Sequence, residues 1–301
     1  DAEFREFSRL SEIVEMEESG VLVESRFGGK ASGLARLGSI LVDETGEYRE
    51  DGFAIPLHYY LEFMDSNLIT SALDPLSQVT YQEYLEELFA DGEFESNSTF
   101  RFEALERLRN EIEDSSRVDD SLVVSLLRRI DEVFSDANQR VRFRSSSNVE
   151  DAIEFNGAGL YESTSVCPAD DLDGDTLGPS LCQEFKSTER GVARGLRRVW
   201  ASLWNFRAYE ERAFFGIDQG MVGMGVLVNR AFVAEQANGV AFTGNPSNSL
   251  DRRYVITAQI GEESVVSPEP GILPERDLLD VRNGEVVDII RSVESSLVPR
   301  G

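Results

Sequence analysis

Three short stretches of this chain carry groups suited to holding an anion. The first is Gly28-Gly29-Lys30-Ala31-Ser32-Gly33-Leu34, a lysine behind two glycines at the start of an apolar helical pattern. Glycines let a backbone approach a ligand closely, and an ammonium is a compact point charge for phosphate oxygens. Of the 29 basic residues only Lys30 and Lys186 are lysines, so this one stands against an arginine background. The second stretch is Arg144-Ser145-Ser146-Ser147, a guanidinium at the end of a strand followed by three hydroxyls. The third is Gly157-Ala158-Gly159, a small-residue loop whose backbone N–H groups can face an anion. A guanidinium fork with a lysine point charge suits phosphoryl transfer, where the protein mainly positions groups and neutralises charge. Taken singly, the first two have plainer readings: a surface turn at Gly28-Gly29-Lys30, and an ion pair of Arg144 with Glu150 or Asp151.

The elements that must position these groups fall into two parts. Residues 1–218 read as mainly helical with a strand-like insertion. Thr80-Tyr81-Gln82-Glu83 is a capping box, followed at helical spacing by Tyr84, Leu85, Leu88 and Phe89. Leu105, Leu108 and Ile112 mark a second helix, and Leu122, Leu126, Ile130 and Val133 a third. Residues 140–144 alternate Arg-Val-Arg-Phe-Arg, the period of a strand with one apolar face. A helix follows with Val192, Leu196, Val199 and Leu203 on one side, and Trp200 and Trp204 are expected in the core. Gly216 should end the next helix, which starts near Phe206. Residues 219–301 read as strands at 222–229, 239–243 and 254–258, then a hairpin turning at Asn283-Gly284. The class expected is α/β (α+β), a phosphate-binding first lobe and a strand-rich second lobe.

At 301 residues and 41% hydrophobic content the chain can bury a substantial core. A net charge of −27 argues against nucleic acid as a partner, since the phosphate backbone carries the same sign. It leaves room for one nucleotide held by local positive charge and a metal ion. No apolar run approaches the ~20 residues of a membrane span. No basic-then-apolar leader is present, although a chain beginning at Asp1 is compatible with one removed. A cytoplasmic location is expected; export would let Cys167 and Cys182 close the acidic stretch between them as a disulfide. Within that stretch, residues 171–175 have the spacing of a calcium loop, but Cys182 stands where the closing glutamate belongs, so calcium is not expected.

Six blocks in order over about 240 residues carry a family resemblance. They are Gly28-Gly29-Lys30; Gly52-Phe53-Ala54-Ile55-Pro56; residues 141–151, VRFRSSSNVED, which resemble V-x-V-R-S-S-x-x-x-E-D; and Phe155-Asn156-Gly157, similar to F-x-G. The fifth is Trp200-Ala201-Ser202-Leu203-Trp204 with Arg207-Ala208 and Gly216-Ile217-Asp218; the sixth, Gly239 to Pro246, resembles G-V-x-F-T-x-x-P. Together they resemble the nucleotide-binding domain of the phosphoenolpyruvate synthase and pyruvate phosphate dikinase family, an ATP-grasp-like fold of two lobes with mixed or antiparallel sheets.

The resemblance implies that ATP binds with Mg2+. Lys30 and Arg144 would act on the phosphates and stabilise charge in the transfer. Gly28, Gly29, Ser145, Gly157, Ala158 and Gly159 would line them, and residues 229–233, with Asn229 and Ala231, would form the hinge that meets adenine through backbone groups. Glu263, or Glu262 in the neighbouring register, matches the family's G-L-G-E segment; no metal ligand is assigned. It further implies transfer of a phosphoryl group to a histidine on a separate domain, with the second-substrate domain also outside this chain. His58 is not that histidine, since Pro56, Leu57, Tyr59 and Tyr60 around it indicate a packed position. Two departures are visible. Asn229 stands where the family often has Gln, and the family's C-terminal acidic strand and Gln-x-Arg-Pro motif do not occur before Gly301. The ending Leu297-Val298-Pro299-Arg300-Gly301 reads either as a protease-site remnant or as a native stretch cut short. The departures keep open a non-catalytic ATP-grasp-like binding or regulatory module; a kinase acting directly on another acceptor is a further alternative.

Overall fold

The computed structural model describes residues 3–40, 52–136, 139–149, 151–152, 155–157, 159–175, 177–182, 186–232, 235–248, 250–260, 265, 270–282 and 285–296, with only the backbone at 151, 152, 155 and 156. It divides into two compact units, one up to Ala231 and one from Phe232 onward.

Alternation along five strands organises the first unit. They form one sheet in the order Ser8–Arg9, Gly52–Ile55, Met224–Arg230, Val141–Ser147, Ser163–Val166, and every neighbouring pair is antiparallel. Phe53, Ile55, Val141, Phe143, Val226 and Val228 point to one face, where they join a large core. Helices His58–Ser66, Tyr81–Ala90, Ser98–Asn110, Asp120–Phe134 and Val192–Ala201 supply most of the rest of that core. Ala54 and Leu227, on the intervening positions, face a smaller cluster with Ile13, Phe27, Ala31 and Ala35. That second cluster belongs to helices Leu10–Glu18, Glu24–Phe27 and Gly29–Ile40. The sheet is therefore sandwiched between helical layers, and the period of two in each strand decides which layer each side chain meets.

The capping box is formed: Glu83 N–H donates to Thr80 Oγ1 (3.1 Å) and Thr80 N–H donates to Glu83 Oε2 (2.8 Å). Trp200 and Trp204 are buried, and the Trp204 indole N–H donates to the Tyr60 hydroxyl at 2.9 Å. The helix Phe206–Phe214 ends before Gly216 at φ 69°. The unit boundary lies later than the one expected after residue 218. Met224–Arg230 is the middle strand of the first unit's sheet, so thirteen further residues group with it.

The second unit is a meander of four antiparallel strands, Ala237–Phe242, Tyr254–Ile260, Glu275–Arg282 and Glu285–Val293. Arg282 faces Glu285 across the hairpin, whose Asn283-Gly284 turn lies outside the described residues. Ser295 Oγ donates to the buried Gln259 Oε1 at 2.7 Å, tying the end of the last strand to the second. Among the described residues no helix is long and apolar enough to cross a membrane.

The acidic stretch folds back on the tryptophan helix. Cys167 and Cys182 lie at disulfide distance, S–S 2.01 Å. Asp170 accepts the N–H groups of Leu181 and Arg190, and Asp171 Oδ2 accepts Val192 N–H at 2.8 Å in the helix's first turn. Burial pushes the Asp171 carboxyl up to about 6, with Asp170 and Asp173 adding like charge. A carboxyl whose folded pKa exceeds its unfolded value of 3.8 contributes stability below the unfolded pKa, and loses it as pH rises through about 6. Asp171→Asn keeps the acceptor and removes the titration. Between pH 5 and pH 7.5 the parent should therefore lose about 1 kcal/mol more than the variant, after allowance for partial exposure. Denaturant melts of both proteins at the two pH values measure this, and parallel pH dependence would remove Asp171 as its source.

Candidate functional site

The lysine is placed by a break between two helices. Glu24–Phe27 ends at Gly28, whose φ of 80° is open to glycine, and the helix Gly29–Ile40 starts at once. A Cβ at Gly28 would sit 1.8 Å from the Ser146 carbonyl oxygen, so the junction rests directly on the strand Val141–Ser147. Serines on that strand receive it. Ala31 N–H donates to Ser146 Oγ at 2.9 Å, and Lys30 Nζ donates to Ser145 Oγ at 3.1 Å across 115 residues of sequence. Ser32 Oγ closes the turn on Gly28 O at 2.8 Å. Arg36, one face further along the helix, forks onto Glu17 (Nε to Oε1 2.6 Å and Oε2 2.8 Å) and also bonds Glu24. These charge-assisted bonds, to Glu17 first, hold the Arg36 guanidinium well above its ordinary pKa and tie three helices together.

Arg144 is placed by strand register. It lies opposite Leu227 on one side and Ser163 on the other, and its Nε donates to Asn229 Oδ1 at 3.2 Å. Asn229 is 1% exposed and is paired in register with Gly52 and Arg142, so its side chain acts as the bracket that aims Arg144. Within residues 229–233 the placements differ. Asn229 sits inside the ladder, Ala231 N–H donates to Arg140 O at 3.0 Å, and Val233 lies outside the described residues. Asn148, just past the serines, clamps the end of the strand: its amide donates to Met221 O and accepts Gly223 N–H, both at 2.9 Å.

The sheet and the helix junction thus bring together Gly28, Gly29, Lys30, Arg144, Ser145 and Asn229 from three separated stretches of sequence. Two cationic side chains, two buried serines and a helix start meet at neighbouring positions of this strand, groups of the kind that an anion site uses. Gly157 is buried and its carbonyl accepts Leu160 N–H at 3.1 Å, while Gly159 is an exposed turn residue at φ 80°. Ala158, Glu262 and Glu263 lie outside the described residues. Three residues were given no role by the motif reading: Arg36, and Arg142 and Asn148 within the 141–151 block. The Arg-Val-Arg-Phe-Arg alternation carries the signal for Arg142, since a period of two puts it on the face of Arg144.

Other features compete poorly for phosphate. A concavity of about 750 Å³ is lined by Glu6, Glu12, Glu15 and Glu132 beside Arg128 and Arg129, an acid excess that repels a polyphosphate. Asp173, Asp175 and Glu189 place carboxylate oxygens within 4.8 Å of one another on an exposed loop. The hydrogen bond to Asp175, with the neighbouring carboxylates, pushes the Glu189 carboxyl up to about 7. His58 is buried, with Nε2 3.0 Å from Glu62 Oε1 and its ring against Tyr59, as a packed histidine should be.

Comparison with known proteins points the same way. The family model described as pyruvate phosphate dikinase, AMP/ATP-binding domain, matches residues 24–277. A rifampicin phosphotransferase of Streptomyces sp is 39% identical over 97 residues, 32% of this chain and 11% of that protein. The phosphoenolpyruvate synthase of Aeropyrum pernix is 29% identical over 167 residues, 53% of this chain and 18% of its own length. The rifampicin phosphotransferase of Streptomyces sviceus is 27% identical over 284 residues, 92% of this chain and 26% of its own. The chain thus spans between about a tenth and a quarter of the length of these relatives.

Proposed function

The chain belongs to the pyruvate phosphate dikinase AMP/ATP-binding domain family, and from that premise we propose that it binds Mg-ATP for a dikinase-like phosphotransferase, with Lys30 and Arg144 on the terminal phosphates. The observation that carries the residue assignment is the meeting of Lys30 with Ser145, next to Arg144, across 115 residues. A sheet strand and a helix start position the two cations through these bonds, the kind of preorganisation that stabilising a transferring phosphoryl group requires. The serines and the Ala31 N–H beside them are hydrogen-bonding groups with no charge of their own. Bound Mg2+ would add neutralising charge on the phosphate oxygens. Gly157 to Gly159 would close over the phosphates, and backbone groups beyond Arg230 would meet adenine.

The phosphoryl group would then pass to a histidine on a separate domain, and a second substrate would take it from there. The relatives' names offer two classes of second substrate, a small carboxylic acid as in phosphoenolpyruvate synthesis or a rifamycin. Calorimetric titration of the chain with Mg-ATP tests the binding step, with saturable one-to-one binding expected. Incubating the full-length protein with labelled ATP tests the transfer, with acid-labile label on a histidine outside residues 1–301 expected. Acid-stable label on another acceptor, formed with no histidine intermediate, would replace this reading by a direct kinase.

A further inference from the structure

We propose that Arg194, with Arg190 and Arg198 beside it, binds a doubly charged oxyanion of the phosphate class at a second site, apart from Lys30 and Arg144. Arg194, Arg197 and Arg198 lie on the helix Val192–Ala201. Positions three and four apart on a helix share a face, about 5–6 Å apart at Cβ, so Arg197 and Arg198 are the neighbours of Arg194 on the next turn. Arg190 is fixed just before the helix: its N–H donates to Asp170 Oδ2 at 2.7 Å, and its carbonyl accepts Cys167 N–H at 2.9 Å. Val192, Leu196 and Val199 carry the opposite face of the helix into the large core. A Cβ at Gly195 would lie 2.4 Å from Val166 Cγ2 and 3.1 Å from Phe143 Cδ2, so the helix rests directly on the sheet. It does so on the Phe143 side, and Arg144, the next residue of that strand, belongs to the other side.

The carboxylates of this region serve other arginines. Glu162 takes Arg198 at 2.9 Å and Arg109 at 3.5 Å, and Arg109 also pairs with Glu106 at 2.6 Å and Glu113 at 3.8 Å. Arg197 Nη1 donates to the Ser116 carbonyl at 3.3 Å. Among the described residues Arg190 and Arg194 form no ion pair, and Arg190 Nε and Arg194 Nη1 are buried atoms without a hydrogen-bond partner. Burial first, then the charges of Arg198 and Arg190, hold the half-buried Arg194 guanidinium below its ordinary pKa. Burial, then Arg198 and Arg140, do the same to Arg190. Glu113 and Asp170 oppose these shifts only in part: Glu113 is shared with Arg109, and both Asp170 oxygens accept backbone N–H groups. Like charges gathered in a half-buried place repel one another, and a bound anion relieves that repulsion. The charges gather around one residue, Arg194, which suits a compact ion with several oxygens, since each guanidinium fork can grip two of them.

The test compares melting temperatures of the parent, Arg194→Gln and Lys30→Ala in sodium phosphate and in sodium chloride of equal ionic strength. Phosphate should raise the melting temperature of the parent and of Lys30→Ala by roughly 2–4 °C over chloride, and that of Arg194→Gln not at all. Titration followed by phosphorus NMR should give an affinity on the order of 1 mM for the parent, weakened about tenfold or more in Arg194→Gln. Glycerol phosphate in place of inorganic phosphate tells the source of the anion: tighter binding assigns the site to a phosphate ester, weaker binding to the free ion. An equal phosphate effect in Arg194→Gln, or none in the parent, overturns the proposal. So does a glutamate-rich peptide that binds through Arg194 where phosphate does not, which would make the cluster a docking face for an acidic segment. Should Arg194→Gln fail to fold, Arg190→Gln is read by the same NMR titration, with the same loss expected. ATP affinity should be the same in Arg194→Gln as in the parent, so this site and the nucleotide site fail or stand separately.

Discussion

Lys30→Ala should lower ATP affinity by roughly 10- to 100-fold, the cost of removing one charge-assisted contact to a phosphate. Lys30 is half-buried at the start of the helix Gly29–Ile40, and its ammonium is held 3.1 Å from Ser145 Oγ. AMP affinity should fall much less, because AMP lacks the terminal phosphates that Lys30 would meet. The melting temperature should barely move, since the helix is anchored elsewhere through Ala31, Ser32 and Arg36. Titration calorimetry of parent and variant reads the binding effect directly. An unchanged ATP affinity in a folded variant would place the phosphates away from Lys30.

Gly28→Ala should be the most damaging single methyl in this region. The residue is at φ 80° and ψ 170°, a region that only glycine enters readily, where an L side chain costs about 1–3 kcal/mol. The added Cβ would also lie 1.8 Å from the Ser146 carbonyl oxygen, and that atom is main chain, which cannot swing aside. Relief requires the helix junction to lift off the strand, breaking the Ala31 to Ser146 and Lys30 to Ser145 bonds together. Buried Phe27, which precedes Gly28, would be dragged from its cluster with Ile13 and Ala54. The expected loss is about 3–5 kcal/mol of stability, with ATP binding reduced as strongly as in Lys30→Ala. Denaturant unfolding measures it. A loss below about 1 kcal/mol would mean that the junction does not press on the strand as described.

Short-range pattern made much of this protein legible before its fold was seen. Helical stripes such as Leu122, Leu126, Ile130 and Val133 went to the core, because a period near four places them on one side whatever that side meets. The capping box at Thr80 formed for the same local reason. The alternation around Arg144 identified a strand, and Gly28-Gly29-Lys30 identified a place where backbone comes close to something. With only two cysteines in the chain, the pairing of Cys167 had one possible partner.

What the sequence could not reveal was which distant residue each group would meet. Asn229 looked like a shortened hinge amide; tertiary register made it the acceptor for Arg144. Arg142 looked like one of several arginines until the neighbouring strands set it between Asn229 and Ser165. The boundary expected after residue 218 fell after Ala231, because the apolar strand at 224–230 pairs with Gly52–Ile55 and Val141–Ser147 rather than with the strands that follow it. Local periodicity is a property of a few successive residues and survives in any context. Pairing depends on which strands share the buried apolar face, and that choice is made only when segments more than a hundred residues apart close over one core.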